Sequence, residues 1–266
     1  MGGSLQEIFF LFSGGLLAGA LGGLLGIGGG IVLMPLLRFV ALLPPAYAAG
    51  TCVVAVFFTS LGGSYRHYRL GNINLRSITP VVISGAIASG VFSLLFIYLA
   101  RRGQWLDLGV GIVFCLISIR MICEGIPGLL KKKAAQSTDN QLGGTLLQKT
   151  SIGAVAGILP GLLGIGTGGI LVPAFNFLLG TPVKIAVAAS LACFCINAFI
   201  SSAFKLAQGF IHLEIVVPIC VGTLLGANLG AILNRRFSSG LVKLLFGFVF
   251  GSVAFKFILS FCMVNS

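Results

Sequence analysis

Two apolar runs in this chain are too long for a single bilayer crossing, and each is interrupted by glycines. Residues 5–43, read as one helix, would reach about 58 Å at about 1.5 Å per residue, against about 30 Å of hydrocarbon. The interruption is Gly26-Ile27-Gly28-Gly29-Gly30. The second long run, 149–180, is interrupted by Gly164-Ile165-Gly166-Thr167-Gly168. Glycine lets a backbone turn sharply and lets another group approach it closely. Each run is therefore expected to turn back at its glycines, as a re-entrant hairpin or as two short helices. The remaining runs, 46–65, 78–99, 105–124, 184–207, 212–233 and 240–262, have the length of single spans.

Composition agrees with that reading. Of 266 residues only 8% are charged and 57% are apolar, with a mean hydropathy of +1.10. A soluble domain carries about 25% charged residues, so a water-soluble globule of this size could not cover its surface. This excludes a disordered chain, a nucleic-acid module and a soluble enzyme. The seven cysteines all lie in apolar stretches and read as small polarizable core residues.

The chain is duplicated. Residues 19–37, GALGGLLGIGGGIVLMPLL, and 157–175, GILPGLLGIGTGGILVPAF, are identical at 11 of 19 positions. The same shift of 138 places Pro44 on Pro182, Gly71 on Gly209 and Pro80 on Pro218. After a small gap, Arg101-Arg102 falls on Arg235-Arg236 and Arg120 on Lys256. The expected units are a first repeat over 1–130, a polar linker over 131–148 with Lys131, Lys132 and Lys133, and a second repeat over 149–266.

Cation placement decides between the two ways of counting spans. If each long run crosses once, the cations near span ends divide eight to seven. If each goes in and comes back, Arg66, Arg69, Arg76, the three linker lysines, Lys149, Lys184, Arg235, Arg236 and Lys243 share one side. Arg38, Arg101, Arg102 and Lys205 take the other. Eleven to four obeys the positive-inside rule. The expected fold is thus an all-α polytopic membrane protein of two inverted repeats, each opening with a Gly-broken helix followed by three spans. The linker is expected in the cytoplasm and both termini outside, in the cell membrane.

Inverted repeats with discontinuous helices place substrate sites where the breaks meet. Backbone N–H groups at a restarting helix, and its dipole, favour an anion. The candidate binding residues are Gly28, Gly29 and Gly30, with their counterparts Gly166, Thr167 and Gly168. Polar residues inside spans join them: Thr51, Thr59, Ser190 and Asn197. Arg120, Lys256, His67 and Lys205 are candidates for attracting the anion or for coupling. Gly222, Gly226 and Gly230 read as a helix-packing ridge. The five acids and two histidines form no catalytic or metal-ligand spacing, so no catalytic residue, metal or cofactor is expected. The near-absence of acids within the spans argues against a cation substrate.

GGLLGIGGGIVLMPLL and GLLGIGTGGILVPAF, each opening one half of a duplicated chain, resemble the sulfite exporter TauE/SafE family over nearly the whole length. The resemblance implies membrane transport of small sulfur-containing anions such as sulfite and sulfonates. It carries the glycine motif onto Gly26, Gly28, Gly30, Gly164, Gly166 and Gly168, while Thr167 departs from a glycine-only copy. The function expected is a secondary transporter working by alternating access and coupled to an ion gradient, with protons the expected ion. An anion channel, or a non-transporting membrane subunit of a sulfur-metabolism complex, stands as the alternative. The expected partners are the anion and the lipid bilayer, with no nucleic acid and with a homodimer left open.

Overall fold

The computed structural model describes residues 5–130, 142–233 and 239–265. The linker residues Lys131, Lys132 and Lys133 and the Arg235-Arg236 pair lie outside the described residues. Ten α-helices appear in chain order, and among the described residues there is no strand. In the first half they are α1 Leu5–Leu25, α2 Gly30–Pro35, α3 Pro45–Arg69, α4 Leu75–Ala100 and α5 Gly103–Leu130. In the second half they are α6 Leu146–Leu163, α7 Gly168–Pro173, α8 Val183–Ala207, α9 Leu213–Leu233 and α10 Ser239–Asn265. Seven of these, α1, α3, α4, α5, α6, α8 and α9, are long and apolar enough to cross a membrane, and α10 adds the apolar stretch Gly247–Cys262. The protein is an all-α, multi-pass membrane protein.

Each long apolar run does break at its glycines, into arms of unequal length. α1 is 21 residues long. Its return arm consists of the 6 residues of α2 followed by a π-helical turn, Leu36–Val40. Pro35 has no N–H to give the preceding turn, and the helix widens immediately after it. Pro173 and the π turn Ala174–Leu178 repeat this in the second half. The first return arm runs back along α1, because a methyl added at Gly14 would meet Leu36 at 2.8 Å.

Helix contacts keep their pattern when the two halves are exchanged. α1 packs parallel to α9 through two stripes of glycine. Methyls placed on Gly15 and Gly23 would strike the backbone of Ile219 and Ala227, and methyls on Gly222 and Gly230 would strike Phe12 and Ala20. The equivalent pair, α6 and α4, locks in the same way, with Gly153 against Val81, Gly157 against Gly85 and Gly161 against Ser89. Small residues let backbones approach this closely, which is how helices associate in lipid. α5 and α10, which are equivalent to each other, pack antiparallel, with Gly111 against Phe257 and Gly125 against Leu244. α3 and α8 also run antiparallel, with Gly63 against Leu191 and Gly28 held between Val56 and Phe194.

The two hairpins open at opposite ends of the molecule. At the mouth of the first, Arg38 pairs with Asp107 on α5. At the mouth of the second, Phe177 lies under Arg120 of the same helix. Those two positions on α5 are about 20 Å apart along its axis.

Candidate functional site

The tips of the two hairpins meet inside the molecule, backbone to backbone. A methyl on Gly30 would sit 2.7 Å from the Gly166 nitrogen. Methyls on Gly166 and Gly168 would run into the Ile27 and Gly26 carbonyls. Glycine is required at these positions by proximity. Gly26, Gly28 and Gly29 need it also for conformation, with φ of 73°, 78° and 72°. The second tip is built differently. Gly164 turns at φ 69°, but Thr167, standing where the first half has Gly29, takes φ −94°. A threonine cannot follow glycine into the left-handed region without strain, so the two breaks share a position and differ in backbone path.

Gly28, Gly29, Gly30, Gly166, Thr167 and Gly168 are therefore brought to one place. The Thr167 hydroxyl is buried there with no hydrogen-bond partner. Ser190 joins them, its hydroxyl donating to the Gly26 carbonyl at 3.2 Å. Thr59 lies beside Gly29 and donates to Ala55 of its own helix at 2.9 Å. Thr51, next to Cys52 whose thiol donates to the Gly30 carbonyl at 3.6 Å, accepts from the His212 N–H at 3.2 Å and so fixes the start of α9. Asn197 occupies the position equivalent to Thr59, facing Gly85 of α4. Its side chain is buried and neither polar atom has a partner.

The charged candidates are spread over several places in the molecule. Arg120 and Lys256 sit at the two hairpin mouths, each over an aromatic ring of a return arm. Arg120 is 5.5 Å from the Phe177 centroid and Lys256 is 5.1 Å from that of Phe39. Such cation–π contacts are worth about 0.5–1 kcal/mol when exposed, and they fasten each return arm to α5 or α10. His67 is buried at the end of α3, its Nδ1 3.3 Å from the Asn72 amide and its Nε2 without a partner. Lys205, its counterpart on α8, is fully buried. Its amine donates to the Pro160 and Gly161 carbonyls at 2.7 and 2.8 Å and to the Ser201 hydroxyl at 2.8 Å.

Sequence reasoning passed over three features. Phe194 packs against both Gly28 and Gly166, whereas its equivalent in the first half is the smaller Val56. Arg38 grips Asp107 through Nε and Nη2 at 2.8–3.2 Å, while the second half has Asn176 in place of Arg38, bonded to the Thr181 carbonyl. Phe39 and Phe177 coincide under the shift of 138 just as Arg120 and Lys256 coincide late in α5 and α10. That double coincidence was the available signal.

The tips are closed. The void beside Gly29, bounded by Leu21, Ile31 and Phe250, holds about 10 Å³. A larger cavity of about 400 Å³ lies at the mouth of the first hairpin, between Glu7, Leu11, Leu36, Val40 and Glu214.

Two discontinuous hairpins meeting through glycine backbones, inside a bundle of membrane-crossing helices, define a polytopic membrane protein of the transporter type. The sulfite exporter TauE/SafE family model matches residues 11–257, and the chain belongs to that family of membrane transporters. It is 28% identical over 240 residues to a probable membrane transporter protein, YunE, of Bacillus subtilis, covering 84% of this chain and 86% of the relative. It is 30% identical over 246 residues to a probable membrane transporter protein of Xylella fastidiosa, covering 91% of each. A probable membrane transporter protein of Methanocaldococcus jannaschii is 26% identical over 251 residues, covering 89% of this chain and 90% of the relative.

Proposed function

We propose that the chain is a secondary transporter that moves a small sulfur-containing anion across the cell membrane by alternating access between two halves inverted in the bilayer. The observation that carries this is the meeting of the hairpin tips at Gly30 and Gly166, from mouths at opposite ends of the molecule. Inversion is supported by the antiparallel packing of equivalent helices, α3 with α8 and α5 with α10. A two-fold axis relating such helices runs across them, which in a membrane puts it in the bilayer plane. The anion preference is supported by what the tips offer: backbone N–H groups at the start of both return arms, the unpartnered Thr167 hydroxyl and the Ser190 hydroxyl. Of the acids, Asp107 is tied to Arg38, and Glu7 and Glu214 lie at a hairpin mouth. The substrate contacts are assigned to Gly28, Gly29, Gly30, Gly166, Thr167 and Gly168, with Ser190, Thr59 and Asn197 flanking them. The closed packing of the tips supports a carrier rather than an open channel.

The test is anion exchange in proteoliposomes across sulfite, thiosulfate, taurine and sulfoacetate. Saturable exchange and uphill counterflow of at least one is expected. Absence of flux for all four under every imposed gradient overturns the proposal.

A further inference from the structure

Lys205 belongs to a polar stripe that the first half of the chain matches at only two of four positions. Asn197, Ser201, Lys205 and Gln208 follow one another at helical spacing on α8 and its C-terminal cap, and so share one face. They look onto Gly85, Ser89, Ser93 and Phe96 of α4. Ser89 donates to the Asn197 carbonyl at 2.8 Å, Gln208 to the Ser93 carbonyl at 2.9 Å, and the Lys205 amine lies 4.4 Å from the Phe96 centroid. The matching positions of the first half are Thr59, Gly63, His67 and Leu70. Four atoms of the stripe are buried without a partner besides: both amide atoms of Asn197, the Ser93 hydroxyl and Gln208 Oε1.

A fully buried ammonium is costly inside a membrane. Three acceptors meet Lys205: the Pro160 and Gly161 carbonyls and the Ser201 oxygen. The carbonyls lie in the last turn of α6, where intrahelical partners run out and the helix dipole is negative. α6 presents backbone oxygens and α4 presents the Phe96 ring. From α3 the facing titratable group is the Cys52 thiol. The Ser201 hydroxyl meanwhile donates to Pro160 at 2.6 Å.

This set of atoms satisfies both protonation states of the amine. The ammonium uses three N–H donors on two carbonyls and one hydroxyl oxygen. After losing a proton the amine keeps two N–H donors for the carbonyls, and its lone pair accepts the Ser201 O–H, which turns away from Pro160. One hydroxyl rotation separates the two states. The carbonyls concerned belong to the turn that ends at Gly164, where the second hairpin turns.

We propose that Lys205 binds the coupling proton, and that its charge clamps the last turn of α6 and with it the second hairpin tip. Charged hydrogen bonds are roughly twice as strong as neutral ones, so loss of the proton loosens that turn. The proton exchanges with water at the end of α8, by way of the unpartnered Ser93 hydroxyl and Gln208 Oε1, in one of the two access states, and with water on the opposite side in the other. The inference rests on the transport reading above, and names the group that couples it to a proton gradient.

Two measurements test it. In detergent-solubilised protein, an alkaline pH jump followed by an indicator dye should release one proton more per chain from wild type than from Lys205→Gln. In proteoliposomes, thiosulfate, whose charge is fixed around neutral pH, should accumulate in wild type under an imposed pH gradient. Lys205→Gln should lose that accumulation and keep exchange at equal pH. Equal proton release, or accumulation by Lys205→Gln, overturns the inference. If Lys205→Gln does not fold, Ser201→Ala serves instead: it keeps the lysine and should shift the pH of proton release, and an unshifted pH overturns the inference. If wild type moves none of the four anions, the transport reading fails, and the proton count alone decides Lys205.

Discussion

Gly30 and Gly71 separate two reasons for needing glycine. Gly30 has an ordinary backbone, but a methyl there would press on the Gly166 nitrogen at 2.7 Å. Gly71 is left-handed, at φ 70°, with open space around it. Gly71→Ala should cost about 1–2 kcal/mol of conformational strain and leave anion exchange intact. Gly30→Ala should abolish exchange while the protein still reaches the membrane. Equal effects of the two on transport would refute the idea that the tips meet in function. A second pair of positions shows how the halves have diverged. Asn197 faces Gly85, and their counterparts are Thr59 and Thr223; the Thr223 hydroxyl reaches the Ala55 carbonyl at 3.3 Å. Bulk moved from one helix to the other, so Gly85→Thr alone should be destabilising, and Asn197→Thr should relieve it. A coupling of about 0.5–3 kcal/mol is expected from a thermal-unfolding double-mutant cycle, and additive effects would refute it. At this scale the sequence showed which residues were polar inside spans. It could not show that Lys205 spends its donors on α6 carbonyls or that Thr51 serves the start of α9, because those partners lie on elements distant in the chain.

Glycine stripes set which helices touch, and they were visible as spacing before their partners were. The ridge Gly222, Gly226, Gly230 on α9 indicated a close helix neighbour. Nothing local indicated that the neighbour is α1, two hundred residues away, rather than α10 beside it. Mutual burial of two such stripes is a long-range property that a single pattern cannot encode. Gly226 lies against the Leu16 carbonyl and the Ala20 nitrogen, so Gly226→Leu must push α1 and α9 apart. It should destabilise by about 1–3 kcal/mol, the usual cost of overpacking, or more if the backbones cannot yield. Leu229, half exposed on the same helix, provides the control: Leu229→Ala should change stability far less. Detergent thermal unfolding reads both, and similar melting shifts for the two would refute the close α1–α9 contact. The glycine breaks were legible as breaks because length alone forbade one helix. Their unequal arms were not, since length gives the number of turns a run must make and not where within it the helix stops.

Among the described residues, cations mark two ends of the bundle. Arg38 meets Asp107 near the start of α5, just after Arg101 and Arg102. His67, close to Arg66 and Arg69 at the end of α3, feels the charge of Lys184 at the start of α8. The two groups thus occupy opposite ends of one bundle, as a topology in which each long run doubles back demands. A single pass through each run would have sent Arg38 to the end opposite Arg69 only by also moving Lys184 away from it. The positive-inside rule gives the expected orientation: the end with Arg66, Arg69, Arg76 and Lys184 should face the cytoplasm. Both Arg69 and Arg101 are exposed, so each tolerates a reporter thiol. In a background with the seven native cysteines replaced, a membrane-impermeant maleimide should label Arg101→Cys in intact cells. It should reach Arg69→Cys only after permeabilisation. The reverse pattern would invert the orientation and leave the hairpin geometry standing. Labelling of both in intact cells would remove the two-ended bundle, and with it the opposed mouths on which alternating access depends.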